Sequence, residues 1–243
     1  MGISMEKIEK QAPGLVSLAK KTQFSLSKHD LTDVKAKVAL VLDLSGSADW
    51  LYENGTMQSV AERILAVGTQ FDDDGAIDVF FFHNSAWHAG ELDISNYQGG
   101  IDRLRRNKNY GGTDYAAAFD AVREHYFPEK RSGLFGRKQE ADVSEPVYVA
   151  FLTDGQTQDE RRALEAAKKS SEYPLFFQSI GLGHPTQFRF LSDSLNDHGG
   201  KSDNFGFWTS EDITKVNDQA LLDGLLNEFP AALRSMRSQG ILR

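Results

Sequence analysis

The sequence predicts an α/β fold: a doubly wound, mostly parallel sheet of about six strands, with one short antiparallel edge strand and helices on both faces. Three observations carry that prediction. Strand-like and helix-like stretches alternate from residue 35 to the end of the chain. The strand-like stretches are short, continuous apolar runs such as Val38-Ala39-Leu40-Val41-Leu42, the pattern of strands covered on both faces. The stretches between them are long enough to serve as the right-handed crossovers that parallel strands require.

Residues 1–32 differ in character and read as a helical extension, with the main domain over 33–243. Leu15, Leu18 and Ala19 predict a short helix there, followed by Phe24-Ser25-Leu26. The extension is expected to pack on the domain, with docking to a partner as the alternative. Val38 to Leu42 is the first core strand. Between Asp49 and Phe71, Val60, Ile64, Leu65 and Val67 recur at helical spacing, so the second half is an amphipathic helix. Asp72-Asp73-Asp74-Gly75 ends it with a turn. Ile77 to His83 is the second strand, and Asn84-Ser85 turns the chain into an antiparallel edge strand, Ala86 to Leu92. A polar stretch with the pairs Gly99-Gly100 and Gly111-Gly112 leads into a helix from Thr113 to about Tyr126. Residues 128–145 are charged, contain Gly133 and Gly136, and read as an exposed loop. Val147 to Leu152 is the third buried strand, Asp159 to Ser170 a helix, and Pro174 to Ile180 the fourth. A helical stretch, Gln187 to Leu195, precedes a last short strand, Phe205 to Thr209. Ile213, Val216, Ala220, Leu221, Leu225 and Phe229 then share one helical face, which Pro230 kinks or restarts.

Composition narrows the function classes. The chain has 243 residues, enough to bury a full core. Its net charge of −8 argues against sequence-independent binding to nucleic acid, which needs Lys and Arg to displace counterions. The best basic patch, Arg103, Arg105, Arg106 and Lys108, reads as a solvated helix end. No apolar run is long enough to span a bilayer, and no apolar stretch follows Lys7 and Lys10, so neither membrane insertion nor a signal peptide is expected. There is no cysteine, which removes disulfide and thiolate chemistry and fits a cytoplasmic protein.

In open sheets of this kind, ligands bind at the carboxyl ends of strands, where the winding reverses. Three such positions carry small, oxygen-bearing residues. Asp43-Leu44-Ser45-Gly46-Ser47 follows the first strand, Thr113 follows the Gly111-Gly112 loop, and Thr153-Asp154-Gly155 follows the third strand. They converge if the first and third core strands lie side by side. Hydroxyl and carboxylate oxygens suit a hard divalent cation: Mg²⁺ first, with Mn²⁺ or Ca²⁺ as alternatives. Residues i, i+2 and i+4 of an extended segment face one side, so Asp43, Ser45 and Ser47 can point together, with Gly46 permitting a tight turn. Taken singly, each motif reads as a helix cap or an ordinary turn. The combination, in this order, carries the signal.

Asp43-x-Ser45-x-Ser47, then Thr113, then Asp154 resembles the metal-ion-dependent adhesion site of von Willebrand factor A (vWA) domains, over about residues 35 to 230. The resemblance implies a Rossmann-like fold. It implies direct metal contacts for Ser45, Ser47 and Thr113, and direct or water-mediated contacts for Asp43 and Asp154. Ala48 departs from many relatives, which have Met there. The segment from Ser25 to Asp43, Gln58 to Leu65, Phe71 to Gly75, Ile77 to Phe80 and the loop Gly133 to Lys138 are similar to the bacterial vWA proteins of tellurium-resistance and stress-response gene clusters. That kinship implies an intracellular, metal-dependent binding module whose partner offers an Asp or Glu to the ion.

Other readings fare worse. Consecutive aspartates at 72–74 point in different directions, and an EF-hand counted from Asp72 meets His83 where Glu belongs. His83 and His88 lack a third ligand at a recognisable spacing and read as structural, while His125, His184 and His198 stand isolated. Gly-x-Ser-x-Gly and P-loop motifs are absent. The rival from another class is a metal-dependent phosphoryl-transfer enzyme using Asp43. It calls for a second carboxylate two residues on, where this chain has Ser45.

Overall fold

In the computed structural model, which describes residues 2–106, 108–128 and 143–243, β1 (Lys37–Asp43) runs through the middle of a six-stranded sheet. β2 (Ile77–Phe82) and β3 (Ala86–Leu92) lie on one side of it. β4 (Val147–Thr153), β5 (Leu175–Leu182) and β6 (Phe205–Ser210) lie on the other, giving the order β3-β2-β1-β4-β5-β6. Every pairing is parallel except β2 with β3. The chain winds outward from β1 in both directions, so the reversal falls between β1 and β4. These two strands lie side by side, the condition for the candidate residues to converge, in register from Lys37 opposite Val147 to Leu42 opposite Leu152.

Alternation sorts the buried runs onto two faces. Val38, Leu40 and Leu42 of β1 pack with the helices of one layer, and Ala39 and Val41 with those of the other. The first layer contains α4 (Thr56–Phe71), α8 (Asp218–Leu226) and α9 (Phe229–Ser238). The second contains α6 (Tyr115–Tyr126) and α7 (Glu160–Ser170), whose Phe119, Ala163 and Ala167 meet Phe151 and Phe177 of the sheet. Burial on both sides explains why these strands read as continuous apolar runs.

Several element boundaries differ from the sequence expectation, each for a local reason. The stretch after β1 forms two helices, α3 (Asp49–Glu53) and α4, because Gly55 adopts φ 78° and breaks the run. The polar stretch holds a short helix, α5 (Gly100–Arg105), and the basic patch at its end is not wholly solvated: the Arg105 guanidinium stacks 4.7 Å from the Tyr52 ring centre. α6 begins at Tyr115 rather than Thr113, because the Asp114 side chain caps it by accepting the Ala117 N–H at 2.9 Å. The stretch expected as one helix over Gln187–Leu195 splits into a 3₁₀ turn, Pro185–Phe188, and a π-helical turn, Phe190–Leu195. Pro230 sits in the first turn of α9, so it restarts the helix rather than kinking it. The expected loop over 128–145 lies mostly outside the described residues.

The N-terminal extension forms α1 (Met5–Gln11) and α2 (Val16–Lys28), the latter running straight through Phe24-Ser25-Leu26. Ile8, Ala12, Leu15, Ala19 and Leu26 belong to the same apolar cluster as Val60 and Ile64 of α4 and Leu221 and Leu225 of α8. Lys21 pairs with Asp218 at 2.6 Å, and Lys28 with Asp223 at 2.7 Å. These partly exposed pairs fix orientation, while the buried apolar area supplies the energy. Among the described residues, no helix is long and apolar enough to cross a membrane.

Candidate metal centre

β1 ends at Asp43 and β4 at Thr153, on adjacent strands, and the singled-out residues leave from these ends and from the loop beside them. Asp43 is fully buried, so both of its carboxylate oxygens need partners. Oδ1 accepts the Ser45 N–H at 2.7 Å, and Oδ2 accepts the Thr153 hydroxyl at 2.6 Å. Burial pushes the acid up to about 6 against the pull of those bonds, and the nearby Asp154 adds to the rise. A carboxylate held under such tension is one that a cation would relieve.

Ser45 leaves the strand in an extended conformation, and a 3₁₀ turn over Gly46–Ala48 brings Ser47 Oγ to 3.1 Å from Ser45 Oγ. Ser47 in turn donates to Asp154 Oδ1 at 3.0 Å. Asp154 is half-buried, which raises its carboxyl, while the Ser47 bond lowers it. Four of the five sequence-selected residues are thus joined in one hydrogen-bonded run.

Thr113 approaches from another direction. Gly46 N–H donates to the Gly111 carbonyl at 3.0 Å and Gly111 N–H to the Leu44 carbonyl at 3.2 Å, so the loop lies alongside the Ser45 turn. Gly111 has no room for a side chain: a Cβ would sit 2.6 Å from Asn84 Oδ1 and 2.9 Å from the His83 ring. Asn84 Oδ1 also accepts the Gly112 N–H at 2.7 Å. The Thr113 carbonyl accepts the Gln158 N–H at 3.1 Å and the Thr157 hydroxyl at 3.2 Å, tying the loop to the segment after β4.

The donors are all oxygen, as a hard cation needs. Neighbouring ligands of an octahedral ion at about 2.1 Å, the Mg²⁺ distance, lie about 3.0 Å apart, and the equatorial ligands of a pentagonal-bipyramidal Ca²⁺ at about 2.4 Å lie about 2.8 Å apart. The Ser45–Ser47 and Ser47–Asp154 separations of 3.1 and 3.0 Å are hydrogen-bond distances that also suit neighbouring oxygen ligands of a divalent cation.

A family model described as the vWA found in the TerF C terminus matches residues 35–242. The chain belongs to the vWA-TerF-like family. An uncharacterized protein of Bacillus subtilis, YcbR, is 35% identical over 233 residues, covering 94% of this chain and 90% of that one. Among solved vWA structures, proximal thread matrix protein 1 of the mussel byssus superposes with a TM-score of 0.56 at 18% identity. The match covers 83% of this chain and 48% of the mussel protein, so the chain spans about half its length. A second structure of that mussel protein has zinc in its metal-ion-dependent adhesion site and gives a TM-score of 0.53 at 18% identity, over 82% of this chain and 48% of that one. Manganese-loaded TRAP of Plasmodium vivax gives 0.51 at 19% identity, over 81% of this chain and 73% of that one. At such identities the likeness is one of fold.

Around the five residues of this vWA domain lies a support layer that the sequence pattern reveals only at Thr153. Thr153 holds Asp43, and the Tyr115 hydroxyl lies 3.2 Å from Thr153 Oγ1 while donating to the Gly155 carbonyl at 2.5 Å. The Tyr52 hydroxyl donates to the Asp43 carbonyl at 2.7 Å. Asp159 accepts the N–H groups of Tyr115 and Ala116, both at 3.1 Å, and so anchors the start of α6 from across the loop. Thr153 carried a signal, since it sits between an apolar run and Asp154. Asp159 carried none, because its partners are 44 and 43 residues away. His125, which stands isolated in the sequence, lies beside Asp78 and His88.

Proposed function

We propose that this chain is a non-catalytic, metal-dependent protein-binding module. One divalent cation, Mg²⁺ ahead of Mn²⁺ or Ca²⁺, binds at the strand ends. Ser45, Ser47 and Thr113 contact it directly, and Asp43 and Asp154 contact it directly or through water. The observation that carries this reading is the hydrogen-bonded run Asp43–Ser45–Ser47–Asp154, which gathers hydroxyl and carboxylate oxygens suited to a hard cation at the strand ends. The three direct contacts are neutral hydroxyls, so with the aspartates acting through water the ion keeps positive charge, and an Asp or Glu from a protein partner is the ligand that such a charge selects.

The surrounding surface supports a protein partner. Trp50 is 48% exposed beside Asp154, and it bounds a cavity of about 400 Å³ with Leu51, Leu182 and Ile213. An exposed aromatic next to a pocket is the usual anchor of a protein interface. The mussel and Plasmodium structures support a divalent ion at a site of this type. Kinship with TerF-like proteins supports a cytoplasmic role in a bacterial tellurium-resistance or stress-response system, with other proteins of that system as partners. The negative net charge speaks against nucleic acid as the ligand. Asp43 is a poor nucleophile for phosphoryl transfer, since it is fully buried and both its oxygens already accept hydrogen bonds.

The test is capture of binding partners by immobilised protein in Mg²⁺ and in chelator, with a Ser45→Ala/Thr113→Ala variant alongside. A partner retained only by wild type in Mg²⁺ is the expected result. Capture that ignores both chelator and variant would overturn the reading. So would Mg²⁺-dependent turnover of a phosphate ester that Asp43→Ala abolishes.

A further inference from the structure

The opposite end of the sheet carries a second cluster of ligating side chains. β2 and β3 pair with a slip: Val79 faces Gly90 but Phe80 faces His88, so Ala89 is an extra residue on β3. In a regular strand His88 and Glu91, three apart, point to opposite faces. The bulge places His88 opposite Phe80 and Glu91 opposite Asp78, all on one face. His125, in the last turn of α6, reaches that face from the helix packed over it. Asp78 Oδ1 lies 2.7 Å from His88 Nε2 and 3.6 Å from His125 Nε2, and the three ligand atoms lie within 4.8 Å of one another. The two imidazoles lie with centres 4.5 Å apart at a 30° tilt, and Phe80 packs on both.

A single Asp–His hydrogen bond is complete in itself and calls for no metal. Here two imidazole nitrogens converge on one carboxylate oxygen, and the second lies beyond hydrogen-bonding distance. Tetrahedral Zn²⁺, with ligands at about 2.0–2.2 Å, sets neighbouring donors about 3.3 Å apart, and the observed 2.7 and 3.6 Å bracket that value. The Tyr126 hydroxyl donates to Asp78 Oδ2, the outer hydrogen bond that orients a ligating carboxylate. A cavity of about 270 Å³ opens beside Asp78 and His125, lined also by Glu91, Asp72 and Asp74, and leaves access for a fourth ligand.

We infer that Asp78, His88 and His125 form a second metal site, selective for Zn²⁺ or a similar transition ion, independent of the strand-end site. Two imidazoles and a carboxylate favour such an ion over Mg²⁺. Water or Glu91 supplies the fourth ligand. The ion clips α6 to the β2–β3 edge.

Zn²⁺ titration separates this site from the other when done on the full chain carrying Ser45→Ala/Thr113→Ala. That protein is expected to bind one equivalent of Zn²⁺, and adding His88→Ala/His125→Ala should weaken binding by at least about a hundredfold. Co²⁺ in place of Zn²⁺ should give the visible absorption of a four-coordinate ion. No stoichiometric Zn²⁺ in the first variant, or Zn²⁺ binding indifferent to the histidine changes, overturns the inference. Nitrogen-15 spectra of the wild-type histidine rings test the same ligands without relying on a variant to fold. Zn²⁺ should shift Nε2 of His88 and His125, and shifts confined to other histidines contradict the site.

Discussion

Thr153 shows how one hydroxyl can set the state of a buried charge. It donates to Asp43 Oδ2 at 2.6 Å, and both residues are fully buried. Thr153→Val keeps the shape and removes the donor, so it should cost about 1–3 kcal/mol in urea unfolding. It should also weaken Mg²⁺ binding about tenfold by calorimetry, because Asp43 loses its orientation. An unchanged affinity would mean that Thr153 does not position Asp43 for the ion. His198 makes a pH prediction. Its Nδ1 accepts the Gly200 N–H at 2.9 Å, so Nε2 carries the proton and donates to Asn204 Oδ1 at 2.8 Å. Burial lowers its pKa from 6.5, with the Asn204 bond opposing. Below about pH 6.5 the unfolded chain therefore holds more protons at this residue than the folded one, and stability is lost as pH falls through that window. Between about pH 7.5 and about pH 5.5, wild type should lose more unfolding free energy than His198→Gln. Equal losses would show that His198 does not titrate with folding. The five candidate ligands were legible in the sequence because their types and order are unusual at strand ends. Thr153 was legible by its place beside Asp154 but not in its role, and His198 in neither, since those roles depend on partners fixed only by the folded chain.

At the scale of elements, the strands were legible because a run buried on both faces is apolar throughout, and the sequence shows that directly. Helix ends were harder. Asn54-Gly55 is a breaker pair within an otherwise helical stretch, and Asp114, not Thr113, makes the capping bond. The β3 bulge leaves little trace beyond Gly90 at φ 135°, yet it decides which face His88 occupies. The loop that carries Thr113 depends on close backbone approach at Gly111. Gly111→Ala forces a Cβ to within 2.6 Å of Asn84 Oδ1 and 2.9 Å of the His83 ring, so these side chains or the loop must shift. The expected cost is about 1–3 kcal/mol by thermal unfolding, with weakened Mg²⁺ binding and unchanged far-ultraviolet circular dichroism. Retained affinity would separate Thr113 from the ion.

Across the whole molecule, the N-terminal extension packs on the domain and shares one apolar cluster with it. Leu15 is 1% exposed and packs in that cluster, so Leu15→Ala should destabilise the entire protein in one transition, by about 2–5 kcal/mol. A separate, earlier transition would show that the extension folds independently. The two ends of the sheet face different chemistry: oxygen donors at the carboxyl ends of β1 and β4, imidazoles at the β2–β3 edge. The proposed Mg²⁺ site is the first alone. Titration calorimetry of Mg²⁺ into wild type and into the folded Ser45→Ala/Thr113→Ala variant tests the central claim most directly. One bound equivalent in wild type, lost in the variant, is the predicted result, and indistinguishable isotherms would contradict it.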